Sequence, residues 1–124
     1  MPQKSPTLGQ IIRRIRTNEF SYSYALYGGD SFMEDYFISE LSKNFLGTNG
    51  KKIFFSMDQD SDEEIFRELS AISMFQEKRI IIIREVPKIR SNKSRNEMIQ
   101  YLRSPNPLII LLIISLLINI NLLN

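Results

Sequence analysis

Apolar residues follow two patterns along the chain, one typical of helices and one typical of buried strands. Apolar residues three and four positions apart predict helices over residues 8–15, 31–46, 62–72 and 96–103. Short apolar runs predict strands over residues 22–27, 52–57, 80–83 and 108–114. Because strands and helices alternate, we expect an α/β fold of three layers, with a parallel sheet between two layers of helices.

The strand over residues 80–83 is four consecutive isoleucines. Such an unbroken run of β-branched residues predicts a strand that is buried on both faces. Met74 and Phe75 stand just before it in a predicted loop, where bulky apolar side chains gain nothing unless they bury against the protein or a partner. Two interpretations stay open at this point: the pair covers the end of the preceding helix near Ile72, or it binds a partner.

Polar residues indicate where two of the helices begin. Asp30 or Ser31 is expected to cap the second helix, and Ser31 and Glu34 have the spacing of a capping box. Ser61 and Glu64 repeat that spacing before the third helix. Both helices should therefore start close to these residues.

Gly28, Gly29 and Asp30 follow the first strand, where α/β folds commonly bind anions at a helix N-terminus. A phosphate loop is a longer glycine-rich arch that ends in Gly-Lys-Ser/Thr, with lysine on the phosphates and the hydroxyl on magnesium. No lysine occurs between Gly28 and Lys43, and Asp30 adds a negative charge where phosphate would lie. The isoleucine strand also ends in Arg84 instead of the aspartate that would hold magnesium. We expect a degenerate phosphate loop without a working nucleotide site.

Composition narrows the chemistry further. The chain has no cysteine and no histidine, which excludes disulfides, thiol chemistry, histidine metal sites and histidine-dependent triads. Its net charge of +2 is too small to indicate nucleic-acid binding. The basic stretch over residues 87–95 is expected to be a solvated loop, since no aromatic residues are interleaved for base stacking. We identify no catalytic, cofactor-binding or metal-binding residues.

Several groups of residues, in order, carry a family resemblance. They are residues 24–32 (Tyr-Ala-Leu-Tyr-Gly-Gly-Asp-Ser-Phe), Asp62-Glu63-Glu64, Ser73-Met74-Phe75 with Lys78-Arg79 before a buried strand, and Tyr101-Leu102 ahead of Pro105. In this order they resemble the N-terminal domain of the delta subunit of the bacterial DNA polymerase III clamp loader, over residues 8–114. The resemblance implies a P-loop NTPase or AAA+-like fold without a working Walker A motif, and no bound cofactor.

The resemblance also implies a function in DNA replication. A delta subunit binds the ring-shaped sliding clamp and opens one of its interfaces, so that the loader can place the ring on primed DNA, while catalysis resides in another polymerase subunit. Ser73, Met74 and Phe75 match the segment whose Leu-Phe-type pair enters an apolar pocket on the clamp, with methionine in place of leucine. The implied partners are the clamp, other loader subunits and, through the complex, DNA. The implied location is the cytoplasm, with no membrane contact.

The C-terminal end departs from the family. We expect residues 1–114 to form the AAA+-like domain and residues 115–124, built only from Ser, Leu, Ile and Asn, to be a low-complexity apolar tail. A membrane anchor, an over-long core strand and a truncated or frame-shifted reading of a longer gene are the three interpretations. We expect the third, because a delta subunit continues into a collar domain that assembles with other loader subunits. The alternatives to a clamp-opening function are a degenerate P-loop nucleotide-binding enzyme and a non-functional delta fragment.

Overall fold

The computed structural model describes residues 7–27, 30–57, 59–71, 77–84 and 92–115. In these ranges the helices are α1 (Leu8–Arg16), α2 (Ser31–Leu41), α3 (Asp62–Ser70) and α4 (Asn92–Arg103). The strands are β1 (Ser23–Tyr27), β2 (Lys51–Ser56), β3 (Arg79–Arg84) and β4 (Ile109–Ser115). A wider π-helical segment, Ser42–Leu46, continues α2.

The strands form one parallel sheet in the order β1-β4-β3-β2. The register places Ile81 between Ile53 of β2 and Leu111 of β4. All residues of β4 are buried, and so are all residues of β3 except Arg84. The prediction that the isoleucine strand is buried on both faces is therefore confirmed.

Alternate residues of the central strands face two separate layers of helices. Ile80 and Ile82 belong to the core formed with α1, α2 and the π-helical segment. Ile81 and Ile83 belong to the core formed with α3 and α4. Each fully buried isoleucine contributes about 1.5–3 kcal/mol relative to an exposed one. The predicted three-layer α/β architecture is confirmed.

Helix α4 begins four residues before its predicted start. Asn92 is its first residue, so Lys93 and Arg95 lie in the helix and the prediction of a loop through residue 95 is wrong for this part. Lysine and arginine are good helix formers. Ser94 and Met98, one turn apart, are both buried on the inner face, which favours the earlier start. Residues 85–91, which include the rest of the basic stretch, lie outside the described residues.

The start of α2 also differs from the prediction in one respect. Asp30 is the cap: its Oδ1 accepts hydrogen bonds from the backbone N–H groups of Phe32, at 3.0 Å, and Met33, at 3.4 Å. The predicted capping box of Ser31 and Glu34 is wrong, because the Glu34 carboxylate accepts a hydrogen bond from Arg84 on β3. At α3 the expected Ser61 cap is present, and its Oγ accepts from the N–H of Glu64.

Candidate functional site

The two regions that the sequence singles out belong to opposite edges of the sheet. The segment between α3 and β3 leads into the edge where the strands begin, and the segment between β1 and α2 leaves the edge where they end. The predicted site residues Ser73, Met74, Phe75, Gly28 and Gly29 lie outside the described residues. Asp30 is described, as are the residues on either side of both segments, and these define the candidate site.

At the edge where the strands end, the start of α2 is already occupied by a carboxylate. Anions bind helix N-termini because the first backbone N–H groups have no partner within the helix. Here the N–H groups of Phe32 and Met33 donate to Asp30 instead. A phosphate at this position would have to displace that hydrogen-bonded carboxylate and would meet its negative charge.

Glu34 and Arg84 form an ion pair across the same edge. The Arg84 guanidinium nitrogen lies 2.7 Å from Oε1 of Glu34, whose side chain is only 8% exposed. The pair joins the first turn of α2 to the last residue of β3. In a P-loop protein this space holds magnesium between a hydroxyl at the helix start and an aspartate at the strand end. Among the described residues at this edge, the side chains therefore do not fit a magnesium nucleotide.

Sequence reasoning recognised Arg84 as a departure but missed its partner. Its position three residues after Ser31 predicts a local capping box for Glu34 instead. A signal was nevertheless present in the sequence. Arg84 ends a strand of the predicted parallel sheet and Glu34 opens a helix that starts at the same edge, so the predicted topology brings their opposite charges to one place.

At the opposite edge, Arg79 connects the end of α3 to the start of β3. One guanidinium nitrogen donates to the backbone oxygen of Glu68, at 2.8 Å, and to its carboxylate, at 2.7 Å. The other donates to the backbone oxygen of Ala71, at 2.8 Å. The Arg79 side chain is 6% exposed. Sequence reasoning used this residue only as the boundary of the isoleucine strand, and the structure adds it to the candidate site.

The residues after the undescribed segment 72–76 are also held in place. The backbone oxygen of Lys78 accepts a hydrogen bond from the N–H of Lys51, at 3.1 Å. The ammonium of Lys51 lies 3.7 Å from the carboxylate of Glu77. The ammonium of Lys78 lies 5.0 Å from the centre of the Phe45 ring. These contacts fix residues 77–79 against β2 and the π-helical segment.

The pKa of Tyr101, a residue of α4, indicates that this region is enclosed. Burial raises the pKa of the Tyr101 hydroxyl above its ordinary value, while the positive charge of Arg79 acts in the opposite direction. The hydrogen bonds of the guanidinium to Glu68 and Ala71 hold it against the end of α3, where it is 6% exposed.

The described ranges contain neither a cluster of metal-binding side chains nor a membrane-spanning helix. In them, no three aspartate or glutamate side chains lie close enough together to hold one metal ion. No helix there is long and apolar enough to cross a membrane. The described residues of the candidate site form the fixed ends of two loops. No set of side chains arranged for chemical catalysis is seen among them.

Comparison with known proteins agrees with this picture. The family model for the DNA polymerase III delta subunit matches residues 24–119, most of the chain. The chain belongs to this family. Membership confirms the resemblance seen in the sequence. A comparison with curated proteins gives no match.

The fold of the delta-family chain is similar to that of a solved structure, the DNA clamp loader delta protein (YqeN) of Bacillus subtilis. The TM-score is 0.72 at 15% sequence identity, over 94% of this chain. At that identity the likeness shows the fold, and it confirms the predicted α/β fold of delta type. The chain spans 38% of the length of that structure. The predicted boundary between residues 114 and 115, and the interpretation of the residues after it, stay predictions.

Proposed function

We propose that this delta-family chain binds a sliding clamp through Ser73, Met74 and Phe75 and opens the ring, without hydrolysing ATP itself. The observation that carries the proposal is the family match, which extends over this segment. Contacts with other loader subunits, and with primed DNA through the assembled complex, belong to the same proposal. The chain would act in the cytoplasm.

Met74 and Phe75 have the chemistry of an interface anchor. Moving each side chain from water into an apolar pocket contributes roughly 1.5–3 kcal/mol before the cost of ordering the segment. Methionine has about the volume of leucine, and its flexible thioether adapts to the shape of a pocket. Two such residues at the centre of a moderate interface are sufficient to act as a hot spot.

Opening the ring requires more than affinity. A ligand shifts an equilibrium between two states only by the difference between its affinities for them. Moving a ring from 1:99 open to 99:1 open needs a difference of about 5.5 kcal/mol. The anchor pair alone could supply this only if it bound the open ring and hardly touched the closed one. We therefore expect further contacts to discriminate between the two states.

The described residues at the other edge support the absence of ATP chemistry. Asp30 uses the N–H groups that would bind phosphate, and the Glu34–Arg84 pair lies where magnesium would be held. Nothing among the described residues favours the alternative of a degenerate nucleotide-binding enzyme. That alternative predicts that magnesium ATP stabilises the chain against heat and that Gly29→Trp removes the stabilisation.

The test is binding of the cognate sliding clamp to the purified chain, measured by surface plasmon resonance. The variant Met74→Ala with Phe75→Ala should lose binding. Phe32→Ala is the matched control, because Phe32 is 75% exposed at the opposite edge of the sheet. It should bind as the unaltered chain does. A clamp that ignores the unaltered chain, or binds the double variant equally well, would refute the proposal.

A thermal-shift measurement with and without magnesium ATP separates the remaining alternatives. No shift is expected for the unaltered chain. A shift that Gly29→Trp removes would support the nucleotide-binding enzyme. A chain that binds neither the clamp nor ATP would support the non-functional fragment.

A further inference from the structure

The exposed side of α1 carries three arginines and no acidic residue. Arg13, Arg14 and Arg16 lie near its C-terminal end, and all three are exposed. The helix dipole favours cations at this end, so their position alone does not indicate a ligand. Arg13 and Arg14 make no ion pair with any residue that the structure describes. Their charges therefore remain available to an anion.

A groove of about 390 Å³ lies beside two of these arginines, between α1 and α2. Its lining has an apolar part, which includes Leu8, Ile12 and Met33, and a polar part, which includes Arg13, Arg16 and Tyr36. Apolar surface next to exposed cations suits a ligand that is partly apolar and carries negative charge. The two parts of the lining thus indicate an amphipathic anion.

Arg16 is paired within the protein, yet much of its side chain faces solvent. Its Nη2 donates to the Tyr36 hydroxyl, at 2.7 Å, and to the Glu40 carboxylate, at 2.6 Å. Both bonds use one nitrogen, and the Arg16 side chain is 55% exposed. The Glu40 side chain is only 7% exposed, so little of its negative charge is presented to an approaching anion. The same contacts hold the Tyr36 ring at the side of the groove.

Two aromatic rings are exposed on one face of α2, beside the groove. Tyr36 is 38% exposed, and Phe32, one turn earlier, is 75% exposed. Residues four apart lie on one face of a helix, so the two rings are neighbours. Asp35 is exposed as well, but it projects about 100° away from Tyr36 around the helix. This face of α2 thus presents two aromatic rings to solvent beside the arginines of α1.

We propose that the α1–α2 surface, formed by Arg13, Arg16, Phe32 and Tyr36, binds single-stranded nucleic acid directly. The arginines contact phosphates, and the two rings stack on unpaired bases. The combination of cations and aromatic rings that residues 87–95 lack in the sequence is present here across two helices. An acidic protein segment would meet the same charges, but the two exposed rings favour bases as the groups that accompany the negative charge. The inference rests on the part of the proposed function that concerns DNA, and it goes further because it requires no other loader subunit.

The test is binding of a fluorescein-labelled oligothymidylate of about 12 nucleotides to the full chain, followed by fluorescence anisotropy. The variant Phe32→Ala with Tyr36→Ala should raise the dissociation constant at least about tenfold, because both stacking surfaces are lost. Tyr36→Phe keeps the ring and should bind nearly as the unaltered chain does. Phe54→Ala is the matched control, since Phe54 is also exposed, at 56%, but lies on β2. It should leave the affinity unchanged.

A second variant tests the charges. Arg13→Met should weaken binding several-fold and reduce the slope of log affinity against log salt by about 0.7, the value for one phosphate contact on a single strand. Arg67→Met is the control for net charge, because it removes an exposed arginine of α3 in the opposite helical layer. It should change neither quantity. Arg13 is exposed, so Arg13→Met keeps the fold and decides the question if the double aromatic variant does not fold.

Three results would overturn the inference. The first is that the unaltered chain does not bind the oligothymidylate at low salt. The second is that the variants bind it as well as their controls do. The third is that polyglutamate competes as effectively as unlabelled oligothymidylate, since the surface would then attract negative charge alone, as an acidic protein would supply it.

Clamp binding and nucleic-acid binding can fail separately. The variant of Phe32 and Tyr36 should keep its affinity for the clamp, and the variant of Met74 and Phe75 should keep its affinity for the oligothymidylate. A chain that binds the oligothymidylate and not the clamp would refute clamp binding and leave the α1–α2 surface standing. A chain that binds the clamp and not the oligothymidylate would do the reverse.

Discussion

The carboxylate of Glu34 accepts a hydrogen bond from the guanidinium of Arg84 at 2.7 Å, between residues 50 positions apart in the chain. Glu34 is buried at the start of α2, and Arg84 ends β3 with about two fifths of its side chain exposed. A buried carboxylate is costly unless it is paired. The pair therefore joins α2 to the sheet at the place where a nucleotide and its metal would do so in an active P-loop protein.

Arg84→Met should lower the free energy of unfolding by about 1–3 kcal/mol, because it leaves the Glu34 carboxylate buried without its partner. Glu34→Gln in addition should restore part of the loss, since the neutral amide costs less to bury. Urea denaturation of the two single variants and the double variant gives the coupling between the residues. Additivity within about 0.5 kcal/mol would show that the pair contributes nothing specific.

The strands were predictable because their signal is local. Residues 80–83 and 108–114 are unbroken apolar runs, and such runs are typical of strands that are buried on both faces. The partners of the polar side chains were not predictable in the same way. Glu34 has a local partner by spacing, Ser31, and a distant one by charge, Arg84, and only the packing of α2 on the sheet decides between them.

The difference between local signals and distant partners also explains which residues of the candidate site were predictable from the sequence. The family resemblance identified Met74 and Phe75 from residue order, but Arg79 looked like an ordinary flank of an apolar strand. The hydrogen bonds of the Arg79 side chain depend on where α3 ends. That end lies at Ser70, and Ala71 is already extended, whereas the spacing of apolar residues predicted a helix to Ile72. Because Arg79 bonds to the oxygen of Ala71, the position of this helix end gives the arginine its acceptors.

Two glycines should respond to alanine in opposite directions. Gly47 ends the π-helical segment with φ +67° and ψ −142°, a conformation nearly restricted to glycine. Gly47→Ala should cost about 1–3 kcal/mol. Gly9 lies exposed in α1, and a Cβ there would meet only the Thr7 hydroxyl oxygen at 4.0 Å. Gly9→Ala should stabilise by about 0.5–1 kcal/mol. Thermal unfolding followed by circular dichroism measures both effects. Effects of equal size and the same sign would contradict the positive φ of Gly47.

Burial of β3 on both faces predicts similar costs for neighbouring residues. Ile81→Ala and Ile82→Ala should each lower the free energy of unfolding by about 2–5 kcal/mol, although the two side chains enter different cores. Phe54→Ala is the control, because Phe54 pairs with Ile82 in the register but is 56% exposed on the edge strand. Its loss should stay near 1 kcal/mol or below. A small effect for either isoleucine would indicate that one helical layer is not packed against the sheet.

Acid should weaken the contact between α1 and α2. Arg16, the last residue of α1, donates to the carboxylate of Glu40 at 2.6 Å and to the Tyr36 hydroxyl at 2.7 Å. The hydrogen bond from Arg16 lowers the pKa of Glu40 below its ordinary value of 4.5, with smaller contributions in the same direction from Tyr36 and Lys43. The folded chain therefore binds the proton at Glu40 less readily than the unfolded chain does.

The sign of the effect follows from that difference. The stabilisation is complete above the unfolded value of about 4.5 and is lost as the pH falls through the lower pKa of the folded state. Glu40→Gln and Arg16→Met should each flatten the fall in melting temperature below about pH 4.5, because each removes the same pair. Arg13→Met is the control, since Arg13 is an exposed arginine of the same helix turn and should leave the acid profile unchanged. If Glu40→Gln retains the full acid dependence, the lowered pKa of Glu40 is not what makes the folded chain sensitive to acid.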